Sequence, residues 1–508
     1  MITTSNKNRK YGVLLSYANT IAQIVVNLLY VPLLLSCMGA SEYGLYQLIG
    51  SVIAYMAIMN STFSAGVTRF YCKYYSESNT EMMETTLAVS RKIYKYISYI
   101  AIVVGILVAV LVRQIYSQQL SSFQLAESSL MLAVLVVNLI ITMHNTISIA
   151  IINANERFVF LKCTSLFTTL CQPLLVVLLL QIYPNALCVS CAQLLMNSIC
   201  AVIQHYYSRK VLGARVAMHN KANKLYHELM SFSGSIFLVL VADQVFWKTN
   251  QLILGYLFGT VYVAIYAIGA QIYMAYTSIG TAISSVFMPR ISDMLFGDHD
   301  QKAVSALFTS VGRISLYPLL LVLFGFIIYG REFIALWAGV VYQDAYFIAI
   351  LIMIPVTVDL MQNIGLTIMQ VMNKYAFRGK LFICMAITNI ILVIYIAPIY
   401  GGIGAAATTG ICLLISNGLI MNIYYAKVIK LEIVDFWRNA IRVFAPLFIY
   451  AIAVFCFHYF VSFRLSWSGL IIEIIIFCFM YAAVAYRFAM NNYERKLTRS
   501  MLRMKTVS

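Results

Sequence analysis

Ala101-Ile-Val-Val-Gly-Ile-Leu-Val-Ala-Val-Leu-Val112 runs twelve residues without a charge, with Arg91, Lys92 and Lys95 before it and Arg113 after it. The run is continuously apolar. A lipid-facing barrel strand would alternate every second residue, so this pattern predicts a membrane helix. About 20 apolar residues of helix cross about 30 Å of hydrocarbon. Runs of that length lie near 11–36, 44–66, 92–112, 128–152, 159–182, 185–207 and 229–256. Seven more lie near 262–288, 314–336, 345–371, 380–399, 403–425, 442–462 and 467–487. The expected fold is therefore an all-α integral membrane protein with fourteen transmembrane helices.

The cations set the direction of each span. Of 35 lysines and arginines, 31 fall in the tails and in alternate gaps, on the side that holds both termini. Arg113, Arg331 and Arg464 are the exceptions on the other side, and Lys248 lies within the seventh run. Lysine and arginine collect in short cytoplasmic loops, so both termini are expected in the cytoplasm. Trp337, Trp437 and Trp467 fall at span ends, where aromatic belts form.

Composition agrees with this reading. The 508 residues are 62% hydrophobic and 10% charged, with a mean hydropathy of +0.85. A soluble protein of this size has no means of burying so much apolar surface. The net charge of +17 belongs to the loops beside the spans, where it meets anionic lipid, so no nucleic-acid partner is expected. Eleven cysteines mostly lie in apolar runs as small core residues, and Cys188-Val-Ser-Cys191 has no second pair to make a zinc or redox site. Lys7, Arg9 and Lys10 precede a run too long for a signal peptide, which is read as an uncleaved first span.

The chain repeats itself. Gly39 and Tyr46, in Gly39-Ala-Ser-Glu-Tyr-Gly-Leu-Tyr46, recur as Gly259 and Tyr266, an offset of 220. Arg69 recurs as Arg290, Arg91 as Arg313 and Asn155 as Asn373, at offsets of 221, 222 and 218. Each copy holds six spans, so the copies share one orientation, as in transporters built from parallel repeats. The expected domains are an N-terminal six-helix lobe (1–208), a basic cytoplasmic linker (209–228), a second six-helix lobe (229–430) and two additional helices with a basic tail (431–508).

Chemistry is expected inside the membrane, because no loop is long enough to fold alone. Asp243, Gln244, Trp247, Lys248, Asn250 and Gln251 share an arc of about 160° on span 7. A mid-membrane charge costs several kcal/mol unless paired or wet, so this face either lines a polar cavity or pairs with another span, with Asp359 as a possible partner of Lys248. On span 1, Ser16, Asn19, Gln23 and Asn27 form an equivalent stripe, and both stripes are expected on one central cavity. Arg69 and Arg290 are either orienting charges or a phosphate-attracting pair at the cytoplasmic mouth. Asp243 and Asp359 are candidates for ion coupling, while His144 reads as a helix-packing residue. No ATP-binding loop or hydrolase motif is present, so the energy must come from an ion gradient, the membrane potential or the substrate gradient. No catalytic residue, metal or cofactor is expected.

With the topology, the duplication and the Gly-Xaa-Xaa-Glu-Tyr-Gly-Leu-Tyr turn in place, the chain resembles the Wzx-type polysaccharide flippases. These form a branch of the multidrug/oligosaccharidyl-lipid/polysaccharide exporter superfamily. The resemblance covers essentially the whole length, including Asp243 and the segment Gly255 to Tyr266. It implies two six-helix lobes enclosing a V-shaped, MATE-like cavity. It also implies transfer of undecaprenyl-pyrophosphate-linked oligosaccharide units to the outer leaflet, for O-antigen of lipopolysaccharide or for capsule. Lys248, Arg69 and Arg290 match its cationic, pyrophosphate-attracting positions, although span 1 carries no internal cation. The implied partners are the lipid-linked oligosaccharide, membrane lipid, and the polysaccharide polymerase and chain-length proteins. Two alternatives stay open: a cation-coupled drug exporter of the same superfamily, which calls for an acidic first lobe, and a membrane polymerase or ligase, which calls for a large outer loop.

Overall fold

Helix α1, Ile2–Ser76, is 75 residues long, and as one rod it would run about 110 Å. That is more than three times the hydrocarbon thickness, so the helix has to fold back. It breaks at Gly39, whose φ of +75° and ψ of 175° are open to glycine at little cost. Its repeat mate Gly259 also has positive φ, at +81°.

The computed structural model describes residues 2–219, 222–285, 301–372, 374–460, 466–496 and 499. Every element among them is helical. After α1 come α2 (Thr80–Ile115), α3 (Ser122–Ala154), α4 (Phe158–Ile182), α5 (Ala186–Tyr206), α6 (Ala222–Phe258) and α7 (Thr260–Ser285). There follow α8 (Gln301–Trp337), α9 (Asp344–Met361), α10 (Asn363–Val371), α11 (Ala376–Leu413), α12 (Ile433–Phe460) and α13 (Trp467–Val484). Wider π-helical turns carry α11 on to Ile429 and α13 on to Ala489. Helix α11 breaks at Gly401 as α1 does at Gly39. Among the described residues, twelve helical segments are long and apolar enough to span, and the segments holding Gly39 and Gly401 count once each. The chain is a multi-pass membrane protein. The repeat markers Arg290 and Asn373 lie outside the described residues.

The chain packs as two units, 1–264 and 265–508. In the first, α6 lies along the second arm of α1, although the repeat groups it with the later spans. The contact runs the length of α6. Gly66 admits Ser233, Tyr55 meets Thr249 at 2.6 Å, and Ser41 meets Thr260 at 3.0 Å. At Gly44 a Cβ would stand 1.9 Å from the Thr260 carbonyl oxygen, so only glycine permits this approach. Tyr94, Ile97 and Met143 are buried in one apolar cluster with Leu225 and Leu229 of α6.

In the second unit α8 is the pivot. Its Arg313 is buried and grips Glu494, Nε to Oε1 at 2.7 Å and Nη2 to Oε2 at 2.9 Å. The same guanidinium donates to the Asn439 and Ala489 carbonyls, and Tyr317 Oη donates to Glu494 at 2.9 Å. Burial raises the Glu494 pKa, but the bonds from Arg313 and from the Asn491 N–H outweigh it and hold the carboxyl below its ordinary 4.5. A depressed carboxyl pKa contributes stability above the unfolded value and loses it as pH falls through the folded one. The clamp is therefore complete at neutral pH and fails only in acid. We predict that Glu494→Leu, which leaves Arg313 buried and unpaired, destabilises the second unit by about 3–5 kcal/mol, and that Arg313→Met in the same chain recovers most of it. Thermal unfolding in detergent at pH 7 measures both.

Candidate functional site

A polar side chain in a membrane helix turns toward other helices, because lipid offers it no partner. In the first unit these groups meet around a chamber of about 770 Å³, within the range of small-molecule sites. Gln23 and Asn27 reach it from the first arm of α1, and Asn60 and Ser64 from the second. Helix α3 adds Thr142, Asn145 and Thr146; α4 adds Lys162, Thr168, Thr169 and Gln172; α5 adds Asn197 and Gln204. Pro173 stands in the same wall and has no N–H to give the Thr169 carbonyl, which leaves α4 polar where it faces the chamber.

Hydrogen bonds between these helices hold the walls. Asn145 Nδ2 donates to Gln204 Oε1 at 2.8 Å, and Gln204 Nε2 to Thr164 Oγ1 at 2.9 Å. Thr146 donates to Asn60 Oδ1 at 3.3 Å, and Asn197 Nδ2 to Asn138 Oδ1 at 2.9 Å. Asn145 Oδ1 is buried and accepts no hydrogen bond among the described residues. Among the described residues the lining contains no Asp or Glu, and Lys162 is its single Lys or Arg. Two acids of this unit sit elsewhere: Glu42 and Glu127 accept the Ala186 and Leu187 N–H groups at the start of α5, where a helix N-terminus favours anions. Such a chamber can bind hydroxyl-rich neutral groups through many weak, bidirectional hydrogen bonds.

The expected stripes separate. Gln23 and Asn27 line the chamber, and Asn19 accepts from Thr169 at 3.4 Å. No residue of α6 is in the described lining, so this chamber does not unite the stripes of spans 1 and 7. On α6 itself, Asp243, Gln244, Trp247 and Lys248 are half-buried, whereas Asn250 and Gln251 are buried. Gln251 was expected on a cavity wall; it accepts from Ser51 across the α1–α6 contact, since a carboxamide turned toward a neighbouring helix is satisfied there. Among the described residues Lys248 has no ion pair or hydrogen bond. Asp359, the possible partner of Lys248, pairs with Arg378 at 3.5 Å in its own unit. Arg69 is exposed and lies 4.4 Å from the Phe232 ring centroid, and Arg290 lies outside the described residues. His144 bonds the Ile140 carbonyl one turn back at 2.9 Å, as a packing residue would.

Sequence reasoning passed over Asn60, Asn145, Lys162, Asn197 and Gln204. They are spread over α1, α3, α4 and α5, and only the polar arcs of those helices taken together would have drawn attention to them. It also missed His458 in the second unit, which lies 3.2 Å from Glu332 and 3.1 Å from Glu473, on three different helices.

The profile of a family described as polysaccharide biosynthesis protein matches residues 10–295, more than half of the chain. The chain belongs to that family. No curated protein sequence matches it. Among solved structures, the lipid II flippase MurJ in an inward closed conformation superposes with a TM-score of 0.72 at 14% identity, over 94% of this chain and 99% of that one. An inward-facing multidrug resistance MATE family transporter of the MOP superfamily gives 0.64 at 12% identity, over 82% and 96%. A MOP superfamily transporter from Pyrococcus furiosus gives 0.52 at 13%, over 83% and 97%. At such identities the likeness is one of fold, and the polysaccharide biosynthesis chain has the architecture of MOP superfamily transporters.

The chamber and the α1–α6 contact differ in access to water. We predict that Asn27→Cys is modified by a water-soluble maleimide well above the background of the native cysteines. Gln251→Cys, at a position 2% exposed, stays at background. Mass spectrometry of the labelled peptides reads both.

Proposed function

We propose that this polysaccharide biosynthesis family member is a flippase, and not an enzyme, that carries undecaprenyl-pyrophosphate-linked oligosaccharide units from the cytoplasmic to the outer leaflet. The product would serve O-antigen or capsule assembly alongside a polymerase and chain-length proteins. The observation that carries this reading is the chamber of the first unit, large enough for sugar rings, whose polar lining is carboxamides, hydroxyls and Lys162, with no carboxylate among the described residues. Sugar hydroxyls both donate and accept, and Asn, Gln, Ser and Thr answer both roles. A cation-coupled exporter would call for a carboxylate there.

In this reading the fourteen spans keep both termini in the cytoplasm of a bacterial inner membrane. Arg69, Arg290 and Lys248 attract the pyrophosphate, and Gln23, Asn27 and Asn19 hold sugar. Gln244 and Trp247 extend the polar path on α6, while Gln251, buried as Asn250 is, fixes α6 to α1. Asp243 and Asp359 are the acids available for coupling to an ion gradient. The prenyl tail stays in lipid, where burial of its apolar length costs nothing.

We predict that Lys248→Ala abolishes surface polysaccharide while the protein remains at native abundance in the membrane. The double change Gln23→Leu and Asn27→Leu lowers polysaccharide at least tenfold, by removing carboxamides from the chamber wall. Immunoblotting of polysaccharide and protein from a strain carrying each variant tests both. Normal polysaccharide from both variants would remove the chamber and Lys248 from transport.

A further inference from the structure

Asn145 lines two cavities: the chamber, and a second cavity of about 960 Å³. This groove runs between α2, α3 and α5, and its walls are largely apolar: Leu87, Ile140, Ile141, Ile151 and Val202. Ala214 and Val216, from the segment after α5, close one end. Arg91, Arg209 and Lys210 stand at that same end, the end that the charge asymmetry makes cytoplasmic. Its remaining polar groups include His144 and His205.

All three cations are exposed, and none has an ion pair among the described residues. Glu84, two helical turns from Arg91, is occupied by His219 at 3.0 Å. The repeat shows what this lacks. Arg313, the mate of Arg91 at an offset of 222, receives its anion from the chain itself, in the carboxylate of Glu494. Glu494 follows the two helices that lie beyond the duplication, and the first repeat has no counterpart to them. Arg91 is thus the same arginine without its carboxylate, with two further cations beside it and an apolar slot leading away.

We propose that this groove is a binding site for an anionic phospholipid of the inner leaflet. The lipid phosphate rests on Arg91, Arg209 and Lys210, and one acyl chain lies along Ile140, Ile141 and Val202. Basic pockets between spans on the cytoplasmic side recognise lipid phosphates in this manner, and guanidinium forks match phosphate oxygens in pairs. A free anion would use the cations and leave the slot unfilled. A zwitterionic lipid would fill the slot and leave the charge unanswered. At about fivefold per cation, three cations give a preference of about 100-fold for anionic over zwitterionic lipid.

The test uses the full chain in phosphatidylcholine nanodiscs, titrated with phosphatidylglycerol, with retained lipid read by native mass spectrometry. The expected result is a preference of about 100-fold for phosphatidylglycerol. The triple change Arg91→Gln, Arg209→Gln and Lys210→Gln should bring it within about threefold, because neutral side chains forfeit the phosphate attraction. Ala201→Trp fills the slot and keeps every cation, and should lose the lipid as well. Thermal unfolding of both variants checks that they fold, and either one alone decides the matter. An unchanged preference in a folded variant overturns the proposal. So does displacement of the lipid by millimolar inorganic phosphate, which marks a free-anion site. So does undecaprenyl phosphate binding more than tenfold tighter than phosphatidylglycerol, which marks a site for the transported lipid.

Discussion

Hydrocarbon accepts no hydrogen bond, and that one fact organises the molecule. It makes every described element helical, because a helix satisfies its own backbone. It confines the irregular backbone at Gly39 and Gly401 to single residues between two helical arms. It also decides where polar side chains go. Asn60, Asn145, Asn197 and Gln204 turn to one another, to Thr146, Asn138 and Thr164, and to the chamber, so helices α1, α3, α4 and α5 converge on a polar space that the lipid in effect creates.

The same constraint sorts the charges. Charges left in the spans are paired or lie on half-buried faces. Asp359 meets Arg378, and His458 stands between Glu332 and Glu473. Arg313 shows the extreme case, with four hydrogen bonds divided among a carboxylate and two carbonyls. Lys248 stands apart: it is half-buried on α6, beside Trp247 and one turn from Gln244.

Most of the fold was legible because membrane spans are read locally. A run such as Ala101 to Val112 needs no knowledge of its neighbours, and the alternating cations orient it without any contact being known. The repeat was legible for a related reason, since Gly39 and Gly259 must be glycine for the backbone to break there. The site was less so. The carboxamides of the chamber come from four helices, and partners such as Asn145 and Gln204 lie 59 residues apart. An arc on one helix tells which face is polar but not what it meets. That is why the α6 stripe, correctly seen as polar, contains both Gln251, spent on a helix contact, and Lys248, which is not. The partner of Asp359 was missed because Arg378 was counted among the cations that orient the loops, a role that does not stop it reaching a carboxylate nearby.

The Arg313 clamp also bears on how the chain is made. Glu494 is translated 181 residues after the arginine it neutralises. Throughout that interval a growing chain on the ribosome holds Arg313 without its carboxylate, while five later helices enter the bilayer. Closure of the second unit thus waits on a single acidic side chain, made after every helix that it locks.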